Sequence, residues 1–254
     1  MSTLRVAVRL VLVSAMSLAL FAILLPARLF LGARSKRANR VRRWCMRVWT
    51  RTGVKILGVH LEVEGPVPPA PCVLVSNHLG YVDILVLGAC VDTRFVSKHE
   101  VRSWPLIGWA ADAVGTIFLD RASRRDIPSV NAQIHAALEA GDRVLFFPEG
   151  TSTGGDGMLP FKSSLLEPAA SSGYPVFCAA VRYTTLPQDP PASEVVCWWG
   201  DKPFNGHVLR LLRLSKIRAR VVFHPEAHVG EGRKELAART ESAVKAMLER
   251  LIGR

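Results

Sequence analysis

The sequence predicts an α/β fold: a mixed central sheet flanked by helices, with an N-terminal helical module set apart from it. Three observations predict this. Short apolar runs recur between turn signals, the pattern of buried strands. Segments with apolar residues in helical register lie between those runs. Basic charge is concentrated at one end: residues 1–61 hold 12 Lys/Arg and no acid, leaving 21 basic and 21 acidic residues from Glu62 onward. The net charge of +12 therefore belongs to the N-terminal quarter, and the natural division is a module over residues 1–60 and a domain over residues 61–254.

Taken in order, residues 10–25 are apolar apart from Ser14 and Ser17, with Arg9 before them and Pro26 and Arg28 after. A spanning helix needs about 20 apolar residues, so this run either spans with help from residues 29–31 or enters one leaflet and turns at Pro26. Single-pass and monotopic anchors both fit. Arg5 and Arg9 ahead of an apolar run also resemble a secretory leader, but no clean A-x-A site follows. The cluster Arg34, Lys36, Arg37, Arg40, Arg42 and Arg43 outweighs the charge before the run, which places the remainder on the cytoplasmic side. Residues 34–51 predict a second helix, because Val41, Trp44, Cys45, Val48 and Trp49 form one apolar stripe. Arg40, Arg42, Arg43, Arg47 and Arg51 surround it. Such a helix suits an anionic headgroup interface; alternatively the stripe packs on the domain and the arginines are solvated.

Strands are predicted over residues 73–76, 94–97, 116–119, 143–147, 176–181, 195–199 and 220–223. Helices are predicted over residues 126–139, where Ile127, Val130, Ile134 and Leu138 share a face, and over residues 233–251. The Pro-rich stretches 66–71 and 187–191 are loops. Five scattered cysteines without C-x-x-C spacing fit a reducing compartment and no zinc site.

The chain lacks G-x-x-x-x-G-K-[ST], G-x-G-x-x-G, G-x-S-x-G and H-E-x-x-H. What stands out is Ser76-Asn77-His78-Leu79-Gly80-Tyr81-Val82-Asp83, directly after a predicted strand. Five positions on one helix turn through about 140°, so His78 and Asp83 meet only if His78 is in the loop and Asp83 in the first turn of a following helix. Asp83 would then fix the imidazole's tautomer and leave its other nitrogen as a general base. Spacing alone equally allows a capping Asp beside an incidental loop His. A second stretch, residues 144–153, is a buried strand ending in Pro148, Glu149, Gly150, Thr151, Ser152 and Thr153, the kind of strand end where α/β folds place ligands. A third, residues 115–121, ends in Asp120-Arg121, and Lys162 adds a further cation. Arg121 and Lys162 are the candidate phosphate ligands, Arg by its fork and Lys as a point charge.

These stretches, in this order, resemble the motifs of the glycerolipid acyltransferase family that includes the 1-acylglycerol-3-phosphate acyltransferases. The resemblance covers about residues 70–185. N-H-x-x-x-x-D matches Asn77, His78 and Asp83; G-x-I-F-x-D-R matches Gly115, Ile117, Phe118, Asp120 and Arg121; F-P-E-G-T matches residues 147–151. It implies a membrane enzyme of phospholipid biosynthesis in which His78 deprotonates an acceptor hydroxyl and Asp83 orients His78. Arg121, Glu149, Gly150, Thr151 and, less firmly matched, Lys162 would surround the acceptor's glycerol phosphate. The implied acceptor is 1-acylglycerol-3-phosphate, giving phosphatidate, with another lysolipid such as lyso-ornithine lipid as the alternative. The implied donor is acyl-CoA or acyl carrier protein, a co-substrate, with no cofactor, metal or covalent acyl-enzyme. Gly80 stands where the family often has Ser, and Cys178 where its fourth motif often has a second Pro after Pro175.

Two readings lie outside the family. A metal-dependent hydrolase could use His78, Asp83 and Glu149 but needs more ligands than the spacing offers. A nucleic-acid-binding or purely membrane-tethering protein would use the N-terminal charge and leave the motifs idle, so no nucleic-acid partner is expected.

Overall fold

The computed structural model describes residues 2–32, 35–104, 107–120, 123–230 and 232–253. Seven strands form one sheet: β1 (Val59–Glu64), β2 (Cys72–Ser76), β3 (Arg94–Lys98), β4 (Ile117–Leu119), β5 (Arg143–Phe146), β6 (Val176–Thr185) and β7 (Ile217–Phe223). Their order is β1-β7-β6-β2-β5-β3-β4. Every pairing is parallel except β6 with β7, so the sheet is mixed as predicted. The first strand begins at Val59, just inside the segment assigned from sequence to the N-terminal module.

The helices are α1 (Ser2–Leu31), α2 (Lys36–Ile56), α3 (Val82–Cys90), α4 (Ile107–Ala113), α5 (Ile127–Glu139), α6 (Glu167–Ser172), α7 (Ala192–Val195), α8 (Phe204–Arg213) and α9 (Arg233–Ile252). They cover both faces of the sheet, and period-two alternation divides the core accordingly. In β2, Leu74 joins Val82, Val86 and Leu87 of α3 on one face. Val73 and Val75 join Ile134 of α5 and Val244 of α9 on the other. All five β2 residues are buried, which is why the sequence there is an unbroken apolar run.

Of the elements that depart from the sequence-based expectation, three have a plain physical reason. Residues 195–199 are not a strand: α7 ends at Val195, and the Val196 and Cys197 N–H groups both donate to the Ala192 carbonyl. Their side chains are buried, and a short buried apolar run carries no periodicity that separates strand from turn. Strand β1, at the sheet edge, has an irregular exposure pattern and gave no apolar run. Helix α8 buries only His207, Leu211 and Leu212.

The N-terminal module also differs in detail. Helix α1 runs for 30 residues and continues through Pro26 rather than turning there. Its window of highest apolarity has a mean hydropathy of 2.5 and is 11% buried. Arg5 and Arg9 donate to the carbonyls of Arg213, Leu212 and Leu214, capping the C-terminal end of α8. Arg28, near the other end of α1, donates to the Asp112 carbonyl on α4. In α2, Arg42 is buried against Asp142 at 3.2 Å, Arg43 reaches Asp142 at 3.3 Å, and Arg47 reaches Asp92 at 3.5 Å. Arg42 is thus withdrawn into the domain, whereas Arg43 and Arg47 reach its acids with 34% and 49% of their side chains still exposed, and Trp49 of the apolar stripe donates to Ser17 on α1. Acids some fifty to a hundred residues distant in sequence leave no local trace that periodicity could register.

Candidate active site

The loop between β2 and α3 is fixed by three separate pieces of the fold. Beyond Ser76, where β2 ceases to pair with β6, the Asn77 side chain takes over: its amide nitrogen donates to the Val181 carbonyl and its oxygen accepts from the Val181 N–H at 2.8 Å. Next, the His78 N–H donates to Glu149 Oε1 at 2.7 Å and the His78 carbonyl accepts from the Thr153 N–H at 2.9 Å. Third, the Leu79 carbonyl accepts from the Trp198 N–H at 2.8 Å. His78 therefore sits at the C-terminal ends of adjacent parallel strands β2 and β5, the edge at which α/β sheets present chemistry.

His78 and Asp83 meet in the way that a loop His and a first-turn Asp allow. His78 Nδ1 lies 2.7 Å from Asp83 Oδ2, and Asp83 is fully buried in the first turn of α3. The same Oδ2 accepts from the Leu79 and Gly80 N–H groups at 2.7 and 3.1 Å. Oδ1 accepts from the Tyr183 hydroxyl at 2.7 Å. With these donors already on the carboxylate, Nδ1 is the ring nitrogen that donates to Asp83, and in the neutral imidazole the lone pair then falls on Nε2. The imidazole stacks on Phe147 at 4.0 Å and 13°, which holds the ring plane. The capping interaction and the ring-orienting one coexist in a single carboxylate.

Tyr183 was missed from sequence, since a residue one hundred positions away carries no spacing signal. Burial and the adjacent Asp83 raise its hydroxyl well above the ordinary range, keeping it a donor. Also missed was the wall beside the loop, where Tyr81, Trp198 and Phe204 pack together and the Tyr81 hydroxyl meets buried His207 Nδ1 at 2.9 Å. Gly80 has φ +143°, and a Cβ there would stand 2.8 Å from the Trp198 nitrogen, so this loop has no room for the serine the motif often carries.

Of the five predicted binding residues, four are described. Glu149 is buried, and its second oxygen accepts from the Leu159 N–H at 2.7 Å, so both oxygens hold backbone rather than pointing outward. Gly150, at φ +76°, lets Lys162 fold over it: a Cβ there would lie 2.8 Å from Nζ. Thr151 is exposed beside them, as is the rest of Lys162. Arg121 lies outside the described residues; β4, which precedes it, runs parallel to β3 and thus ends on the same side of the sheet as β2. Cys178, the other departure from the motif pattern, is fully buried in β6. Among the described residues no three His, Cys, Asp or Glu side chains are grouped as metal ligands.

Burial pushes the Glu149 carboxyl from 4.5 up to about 7, with the Leu159 and His78 N–H groups pulling it down. A folded value above the unfolded one means that the folded chain holds this proton more tightly. The stability linked to it is full below about 4.5 and lost as pH rises to about 7. Glu149→Gln stays neutral, so its Tm relative to wild type should climb across that window in thermal melts. A difference flat with pH would mean the carboxyl is ionised throughout.

Residues 59–182, from the start of β1 to the end of the β6 segment against Asn77, match the Acyltransferase family. The chain is 38% identical over 203 residues to a lyso-ornithine lipid O-acyltransferase of Rhodobacter capsulatus, covering 77% of this chain and 72% of that one. The chain belongs to the acyltransferase family. It is of the lysophospholipid type, with a place in lipid biosynthesis. A second relative, the lyso-ornithine lipid O-acyltransferase of Brucella abortus, is 33% identical over 97% of both chains. The 1-acyl-sn-glycerol-3-phosphate acyltransferase of Neisseria meningitidis is 32% identical over 76% of both. The acyltransferase also shares its fold with the crystal structure of the 1-acyl-sn-glycerophosphate acyltransferase PlsC from Thermotoga maritima, with a TM-score of 0.65 at 20% identity, covering 97% of this chain and 98% of that one.

Proposed function

We propose that the acyltransferase moves a fatty acyl chain from a thioester, acyl-CoA or acyl carrier protein, to the free hydroxyl of a lysolipid at a membrane surface, with His78 as general base. The observation that carries this is the His78–Asp83 pair, whose Nδ1–H is anchored at 2.7 Å while Nε2 stays available. Nε2 takes the acceptor's hydroxyl proton as its oxygen attacks the thioester carbonyl. The C–S bond then breaks, and the departing thiolate takes the proton from the imidazolium, which Asp83 stabilises in between. Each group ends the cycle as it began, so this reading needs no cofactor or covalent acyl-enzyme.

For the acceptor, we take the two candidates in the opposite order from the motifs alone. The 38% identity to one lyso-ornithine lipid acyltransferase and the 97% coverage of another favour lyso-ornithine lipid. The Neisseria relative keeps 1-acylglycerol-3-phosphate, with product phosphatidate, as the second reading; there Arg121, Gly150, Thr151 and Lys162 would surround the phosphate. Purified enzyme offered both lysolipids with a labelled acyl donor tests this. Preferred labelling of lyso-ornithine lipid supports the first reading; preferred labelling of 1-acylglycerol-3-phosphate replaces it with the second.

The position of α1 supports a monotopic anchor. Arg5 and Arg28 are about 35 Å apart along a helix, yet both hydrogen-bond to the globular domain. A helix held at both ends lies along the domain rather than leaving it to cross a bilayer. Its outer face, with Leu4, Val11, Leu18 and Phe30 at least 62% exposed, is free to enter one leaflet. We place that leaflet at the cytoplasmic face from the basic cluster over residues 34–43. Deleting residues 2–31 should move the protein from the membrane to the soluble fraction on centrifugation. Full retention on membranes in high salt would refute the anchor and leave the chemistry standing.

A further inference from the structure

A cavity of about 280 Å³ opens beside the catalytic loop, lined among others by Leu79, Gly155, Asp156, Arg182, Tyr183 and Cys197. Its lining is unusual in three respects. First, Arg182 and the exposed Asp156 are both among its lining residues, yet among the described residues neither side chain has an ion-pair partner within 4.0 Å or a hydrogen bond. Second, it is lined by Leu79, the residue after the proposed base, and by Tyr183, whose hydroxyl donates to Asp83, so it adjoins the catalytic loop. Third, one wall is an open strand edge.

That edge follows from register. The His224 N–H donates to the Cys178 carbonyl, so in the antiparallel β6–β7 ladder the even-numbered residues of β6 bond to β7. The odd-numbered residues turn their N–H and C=O groups the other way. Ala179 meets β2 there and Val181 meets the Asn77 side chain. Tyr183 is the next odd residue, and no described strand pairs with β6 on that side beyond Ala179. Its backbone donor and acceptor therefore face the cavity that it lines.

We infer that this cavity is the acceptor headgroup subsite, built for an N-acylated amino acid that carries a free carboxylate and a side-chain ammonium. Arg182 receives the carboxylate by its guanidinium fork, Asp156 receives the ammonium, and the Tyr183 backbone pairs with the amide that joins headgroup to acyl chain. A glycerol phosphate has neither ammonium nor amide and would leave Asp156 and the strand edge unmatched. The inference rests on the lyso-ornithine reading above, and deepens it by assigning the residues that choose this acceptor over a phosphate.

The test crosses enzyme variants with altered acceptors. Wild type, Arg182→Gln and Asp156→Asn are assayed against lyso-ornithine lipid, its methyl ester, its side-chain N-acetyl derivative and 1-acylglycerol-3-phosphate. Wild type should lose about tenfold to a hundredfold in kcat/KM on either modification, the range for removing one partner of a charge-assisted hydrogen bond. Arg182→Gln should show a comparable rise in acceptor KM and no longer distinguish acid from ester. Asp156→Asn should no longer distinguish amine from acetamide. Donor KM should be unchanged in both. If wild type uses lyso-ornithine lipid while the variants discriminate as it does, the subsite is wrong and the acceptor reading survives. A rise in donor KM instead would hand the cavity to the pantetheine arm and overturn the inference. Should wild type acylate 1-acylglycerol-3-phosphate alone, the acceptor reading fails and the subsite falls with it. The modified acceptors act on wild type, so this measurement holds even for a variant that folds poorly.

Discussion

His78→Ala is expected to lower kcat for acyl transfer by about 10²-fold to 10⁴-fold, the contribution of a positioned general base. The fold should survive. The interactions that shape the loop run through the His78 backbone, whose N–H reaches Glu149 and whose carbonyl accepts from Thr153, and both remain in alanine. Asp83 keeps the Leu79 and Gly80 N–H groups and the Tyr183 hydroxyl. The side chain itself is partly exposed, at 17%, so its loss opens no sealed void. Circular dichroism and Tm should therefore stay close to wild type while single-turnover transfer collapses. A folded His78→Ala enzyme with near-native transfer would leave Asp83 as a cap and remove the proposed base.

The parts of this molecule that sequence made legible are those whose information is local. The apolar run at residues 73–76 and the polar stretch after it indicate a strand, a loop and a helix start, the arrangement in which His78 can meet Asp83, and the fold has them there. Residues 126–139 showed a helical face because α5 packs only one side on the sheet. What stayed hidden depends on distant partners. Tyr183 reaches Asp83 across one hundred positions, and Arg42 finds Asp142 across another hundred. Glu149 looked like a ligand-facing acid because it ends a buried strand; only the fold shows that the His78 and Leu159 N–H groups occupy both of its oxygens. Lys162 and Gly150 were separate features in sequence and are neighbours in space because the chain returns after residue 160 to donate to the Pro148 carbonyl.

Asp83→Asn tests the second half of the pair, and here the surroundings decide which atom goes where. Three donors converge on Oδ2: the Nδ1–H of His78 and the N–H groups of Leu79 and Gly80. An amide NH₂ in that position would face all three, so the asparagine oxygen takes it. The NH₂ then faces the Tyr183 hydroxyl, which can rotate to accept instead of donate. Geometry and tautomer are thus retained, and what disappears is the negative charge opposite the imidazolium. Transfer should fall by about 10²-fold or more in kcat, with acceptor and donor KM little changed, since the stabilisation is exercised only when the ring becomes charged. The double variant His78→Ala/Asp83→Asn should be no worse than His78→Ala alone within about twofold, because a carboxylate that acts through the ring has nothing to act on once the ring is gone. Losses that multiply instead would give Asp83 a contribution independent of His78, and the pair would have to be read as two separate groups.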